Sequence, residues 1–145
     1  ARRWAMADLP PLVLLLRRVT GELAHLQQRA EEDVASRRLD DIWLSGVKYR
    51  LVTVVEAVVD VAQHVCASQG WEPSDNADAL RLLGRHDVVP DELAERLAAA
   101  ATFQGILVHD YTAVDDDRVV AGLGELDDIE AFVAEVSRWV MLQEA

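Results

Sequence analysis

Histidine is the side chain that titrates near neutral pH and ligates metals, so the four histidines are the first residues to weigh for chemistry. His25, His64 and His86 have no second histidine or carboxylate at a recognisable metal spacing, which points to structural roles. Glu56, Asp60 and His64 do form a row at i, i+4 and i+8, and such a row amid valines must face water, a partner or a site. His109 differs, because it lies in Phe103-Gln104-Gly105-Ile106-Leu107-Val108-His109-Asp110-Tyr111, where a polar patch interrupts an apolar helix end. On an ideal helix Gln104 and Tyr111 share a face, while His109 points about 140° away from Gln104. A site that uses all three requires a helix irregularity, which Gly105 could supply, or a twofold dimer that brings two copies of this helix end together. The lone cysteine, Cys66, excludes an internal disulfide and a Cys-cluster zinc site, and no metal or other cofactor is expected.

These residues must be positioned by helices. Glycine and proline fall between long periodic stretches and not within them, so the chain reads as nearly all helix. The first helix is expected from about Leu12 to Ser36, with Leu15, Val19, Leu23 and Leu26 at three- and four-residue spacing. A second, about Asp40 to Ser68, carries Leu44, Val47, Leu51, Val54, Val58, Ala62 and Val65 on one stripe and Trp43, Val52, Val55, Val59 and Cys66 beside it. An apolar arc this wide predicts a central helix, or one that also faces another subunit. Gln69 to Pro90 breaks the pattern and predicts a loop around a short helix near Ala77 to Leu83, capped by Ser74 or Asp75. Asp91 opens a third helix in which Leu93, Leu97, Ala100, Gln104, Leu107 and Tyr111 share a face. A loop at Thr112 to Asp115 leads to a fourth, about Asp116 to Leu142, with Val119, Leu123, Leu126, Ile129, Phe132, Val133, Val136 and Val140 inward. The expected fold class is all-α: an antiparallel four-helix bundle with one short extra helix between helices 2 and 3.

With 145 residues the chain predicts a single domain over residues 11–145, after a flexible leader at residues 1–10 in which Met6 is a candidate native start. The apolar run Leu12 to Leu16 is far short of the roughly 20 residues a membrane span requires, and Arg17-Arg18 follows it where a cleavage site would have to stand. The expectation is a cytoplasmic protein with no membrane partner. Fourteen basic residues against twenty-six acidic ones leave a net charge of −12, which repels polyanions at long range and disfavours non-specific nucleic-acid binding over the whole surface. Local basic spots remain at Arg17-Arg18, at Arg37-Arg38, and at Arg81 with Arg85 and His86.

The segment from Gln104 to Tyr111, followed by Thr112-Ala113-Val114-Asp115, resembles the HepT-type toxins of the HEPN superfamily, whose motif reads Arg-Asn-x-x-x-His-x-Tyr ahead of a helix. The layout is similar as well: a long second helix with Val55-Glu56-Ala57-Val58-Val59-Asp60-Val61-Ala62-Gln63-His64, a loop with a small helix, the motif helix and a final apolar helix. The resemblance covers roughly Val13 to Trp139. It implies a HEPN-like bundle and a component of a prokaryotic toxin–antitoxin pair, a homodimeric, metal-independent endoribonuclease that cleaves RNA. In such toxins the motif arginine stabilises phosphate charge, and the histidine acts as general acid or base on the ribose 2′-hydroxyl or the leaving oxygen. The implied partner is an MntA-like nucleotidyltransferase antitoxin that transfers AMP to the motif tyrosine. The matching residues are His109 and Tyr111, with Glu56, Asp60, His64 and Asp110 in support.

Where the family has Arg-Asn, this chain has Gln104-Gly105. Glutamine donates a hydrogen bond but carries no charge, so it is no substitute for a bidentate guanidinium at a phosphate. Arg96, eight positions earlier, is not an obvious replacement. Either another arginine fills in from a loop or from the partner subunit, or nuclease activity is weak or lost. In the latter case the chain is a catalytically inactive HEPN adaptor or dimerisation module for a nucleotidyltransferase.

Overall fold

A computed structural model describes residue 5, residues 8–109 and residues 115–144. Seven helices follow in order: α1 (Leu9–Glu31), α2 (Val34–Arg37), α3 (Asp41–Gln69), α4 (Asn76–Arg85), α5 (Asp91–His109), α6 (Asp116–Gly122) and α7 (Leu126–Glu144). No strand occurs among the described residues, so the fold is all-α as expected.

Aspartates start most of these helices by local chemistry. The carboxylates of Asp33, Asp40, Asp75 and Asp115 accept hydrogen bonds from backbone N–H groups in the first turns of α2, α3, α4 and α6, which would otherwise lack partners. Asp75, not Ser74, is thus the cap of the short helix in the α3–α5 connection. Gly70 ends α3 in the left-handed region (φ 77°), where Trp71 N–H returns to the Cys66 carbonyl at 2.9 Å. Both residues of the Pro10-Pro11 pair lie in the first turn of α1, which begins at Leu9.

Two of the expected long helices are broken. The first stops at Glu31 instead of Ser36, because Glu32 turns extended and its carboxylate takes the indole N–H of Trp43 at 2.8 Å while Asp33 caps a separate turn. The fourth is divided into α6 and α7 around Leu123–Glu125. There α6 approaches α3 so closely that a Cβ on Gly122 would stand 3.2 Å from the Leu51 side chain. Four expected long helices and one short one therefore become seven helices among the described residues, with two of the four long elements interrupted.

The wide apolar arc of α3 is covered from several sides, by α1, α4, α5 and α6. Val54, Val58, Val61, Ala62, Val65 and Cys66 are buried there with Leu12, Leu26, Leu83 and Phe132. By length and mean hydropathy α3 would suffice to cross a membrane, but 56% of its most apolar window is buried against these neighbours, which accounts for the composition. Burial of so many branched side chains overrides the modest helix propensity of valine.

Candidate active site

Asp91 and Glu92 in its first turn complement the dipole of α5, and the helix then runs without a break through Phe103 to His109. The irregularity anticipated at Gly105 is absent: the backbone there is regular helix, and a Cβ on Gly105 would meet nothing within 4 Å. Leu107 is only 1% exposed and anchors this end in the core, whereas Ile106 and Val108 on either side are 53% and 55% exposed. His109 is exposed in the last turn.

Gln104 is half-buried and lines a cavity of about 290 Å³ between α3, α5, α6 and the start of α7. Its floor is apolar, with Leu51, Val55 and Val58 from α3 and Leu97, Ala100 and Leu107 from α5. Its polar members are Gln104, Arg96, Arg118, Glu125 and Asp128. Gln104 thus faces the cavity while His109 faces solvent, as the helical angle requires, and one protomer does not bring the two together. Asp110 and Tyr111 lie outside the described residues.

Two arginines that sequence reasoning set aside or missed flank Gln104. Arg96 donates from Nε to Asp128 at 3.0 Å, and that hydrogen bond and charge raise its pKa further above the ordinary arginine value. Arg118 lies with its guanidinium carbon 4.5 Å from the centre of the Phe103 ring, and its Nη1 is 3.5 Å from Glu125. That ion pair is long and half-exposed, beyond good hydrogen-bond geometry. Spacing along α5 carried a faint signal for Arg96. None existed for Arg118, since its position depends on α6 folding back onto α3.

The row Glu56, Asp60 and His64 is directed elsewhere. Asp60 pairs with Arg18 of α1 at 2.8 Å, and a ring nitrogen of His64 lies 2.9 Å from the Asp8 carbonyl oxygen. Glu56 is exposed, and none of the three lines the cavity. Further along the same α1–α3 seam, Glu22 accepts from Thr53 at 2.7 Å and from Arg50 at 3.1 Å. Partial burial works against the Glu22 carboxylate, but these two hydrogen bonds and the Arg50 charge outweigh it and hold its pKa below the usual value. His86 stacks on Trp71 with ring centres 3.8 Å apart, and His25 is exposed on α1. Among the described residues no group of three or more His, Cys, Asp or Glu side chains is arranged to hold a metal ion.

Comparison with known proteins gives a consistent answer. The family model described as ribonuclease HepT-like matches residues 16–136. A protein described as an mRNA nuclease HepT from Shewanella oneidensis is 30% identical over 108 residues, spanning 73% of this chain and 81% of that one. A protein described as a putative RNase from Archaeoglobus fulgidus is 28% identical over 97 residues, spanning 67% of this chain and 74% of its own. In structure, the tri-AMPylated Shewanella oneidensis HEPN toxin, solved in complex with an MNT antitoxin, superposes with a TM-score of 0.80 at 23% identity, over 88% of this chain and 96% of that one. A match that runs from within α1 to within α7, with the Gln104–His109 segment inside it, places this chain in the HepT-like ribonuclease family.

Proposed function

We propose that this chain is the toxin of a prokaryotic toxin–antitoxin pair, a cytoplasmic, homodimeric endoribonuclease that works without metal, with its site at the C-terminal end of α5. The observation that carries the reading is the family match through residues 16–136, which includes the His109 turn. His109 is exposed and free to meet a strand of RNA. It takes the proton of a ribose 2′-hydroxyl, whose oxygen attacks the adjacent phosphorus; the bond to the 5′-oxygen breaks, that oxygen takes a proton from water, His109 returns its own to the resulting hydroxide, and a 2′,3′-cyclic phosphate remains. Gln104 offers a hydrogen bond where the family motif has a guanidinium. Ile106 and Val108, more than half exposed beside His109, support a second copy packing at this end and contributing its own helix end to the site.

The partner is a nucleotidyltransferase antitoxin of the MntA type. Transfer of AMP from ATP to the Tyr111 hydroxyl forms a phosphodiester, releases pyrophosphate and places bulk and negative charge two residues from His109, which blocks RNA. A second reading, an inactive adaptor that binds the nucleotidyltransferase, is favoured by one observation, the uncharged Gln104 at the motif arginine position.

Cleavage of RNA in chelator by the wild type, His109→Ala and Gln104→Arg proteins tests both. Loss of general acid–base help should cost His109→Ala roughly 10²–10⁴-fold in rate. Unchanged cleavage by His109→Ala would remove His109 from the mechanism. An inert wild type with an active Gln104→Arg protein would establish the adaptor.

A further inference from the structure

The cavity beside Gln104 combines three features that point to one kind of ligand. Its walls are aliphatic, and its volume of about 290 Å³ lies at the small end of ligand pockets. Its rim carries one neutral amide, Gln104, with a single acceptor oxygen and donor N–H groups side by side and no hydrogen bond among the described residues. Next to it the Arg118 guanidinium carbon stands 4.5 Å from the centre of the Phe103 ring, and its ion pair with Glu125 is a long one at 3.5 Å. The other rim cation, Arg96, is tied to Asp128 by a hydrogen bond.

A chain of net charge −12 has no long-range attraction for RNA, so phosphate contacts alone are a poor means of holding a strand. Burial of a base supplies affinity that does not depend on overall charge. An amide sets a donor beside an acceptor and so pairs bidentately with N6 and N7 of adenine, which the corresponding edge of guanine, with two acceptors at N7 and O6, does not allow. A guanidinium stacked on an aromatic ring is suited to the phosphate beside an unstacked base.

We propose that this cavity receives one unstacked adenine of the RNA strand, its N6/N7 edge on the Gln104 amide and the adjoining phosphate on Arg118. Arg118 then exchanges Glu125 for the phosphate and supplies the cation that position 104 lacks. The inference rests on RNA being the substrate, and it makes Gln104 a reader of sequence in place of a charge clamp.

The test uses the full chain and labelled 2′-O-methyl RNA strands of about eight nucleotides, uridylates around a single central adenylate, which fit a single-strand site, offer it one adenine and cannot be cleaved through the 2′-oxygen. Fluorescence anisotropy compares the intact strand with one carrying a central abasic site and one carrying a central inosine. Inosine replaces the N6 donor by an acceptor. Wild type should bind the intact strand about tenfold more tightly than either altered strand. Val55→Phe, which fills the cavity from α3, should lower the intact strand to the abasic level while leaving abasic binding unchanged. Ala100→Leu fills it from α5 and replaces Val55→Phe if that variant fails to fold. Arg118→Met should weaken intact and abasic strands alike, and Arg118→Lys should restore part of the loss.

Equal binding of intact and abasic strands by wild type overturns the proposal. So does a filled cavity that still prefers the intact strand, and equal binding of inosine overturns the role given to Gln104. Because the strand is not cleaved, a chain without nuclease activity still gives a result. RNA cleavage by a protein blind to the base would sink this inference and leave the proposed function intact.

Discussion

The two halves of α5 both carry apolar residues at helical spacing, yet they meet opposite surroundings. In the first half Leu93, Ala94, Leu97 and Ala98 are all buried, and α4 comes so near that a Cβ on Gly84 would stand 2.8 Å from Ala94 Cβ. In the second half Leu107 is the last buried side chain before the helix ends, Ile106 and Val108 stand largely in water, and Gly105 has open space where a Cβ would be. One glycine is there because two helices touch; the other is not needed for packing at all. The half that folding consumes is structural, and the half it leaves uncovered holds Gln104 and His109. Apolar surface left exposed next to a titratable group is more informative about function than the apolar periodicity itself.

The contrast can be broken most directly at its weakest anchor. Leu107→Ala removes the buried side chain that fastens the open end, and should cost about 3 kcal/mol in denaturant unfolding. A cost near zero would mean that the second half of α5 is not docked to the core. At the packed end, Gly84→Ala should destabilise by about 2 kcal/mol net, although alanine gains about 1 kcal/mol in helix propensity, because the Ala94 Cβ it strikes is held by backbone. A stabilised Gly84→Ala protein would show that α4 and α5 can separate without loss.

The packed end also has a pH signature. Cys66 is buried with its Sγ 3.7 Å from the Ala79 carbonyl oxygen, and burial, aided by the Asp78 charge, pushes its thiol up to about 11. The folded value is raised, so this contribution is fully present below the unfolded thiol pKa and is lost as pH rises through the folded one. Unfolding free energy should therefore fall by about 2 kcal/mol between roughly pH 8.5 and pH 11, a component that Cys66→Ala lacks. Identical pH profiles for the two proteins would count against a desolvated thiol. The smallest effect belongs to the open end: Gly105→Ala should stabilise by about 0.5–1 kcal/mol, since only helix propensity changes. A loss of stability there would reveal a close neighbour at Gly105, such as the second copy of the chain.

Much of this was legible beforehand. Period-3.6 spacing located Leu44, Val47, Leu51, Val54 and Val58 on the buried stripe of α3, and Ser74 and Asp75 were both visible as caps before a short helix, of which the structure uses Asp75. The interruptions at Glu32 and at Leu123–Glu125 were not, because each follows from distant partners: Trp43 for one and the approach of α6 to Leu51 for the other. At the site, residue types alone showed a polar patch around His109, and the motif itself came from the resemblance to HepT-type toxins. The row of Glu56, Asp60 and His64 was readable as a row but not as a seam with α1, since Asp60 meets Arg18 across 42 residues.

Sequence alone determined the helical class, the course of the long second and third helices, the apolar stripes and the placement of Gln104 and His109 on different faces of one helix. All of these are set within a turn or two of chain, where backbone geometry is the same in any fold. Tertiary structure decided which stripe is covered and which is left open. It set Arg118 over Phe103 beside Gln104, drew Asp60 and His64 to α1, and enclosed an apolar cavity with a polar rim at the end of α5. Those outcomes depend on which distant segments compete for the same surface, and burial selects among them by total area and not by local spacing.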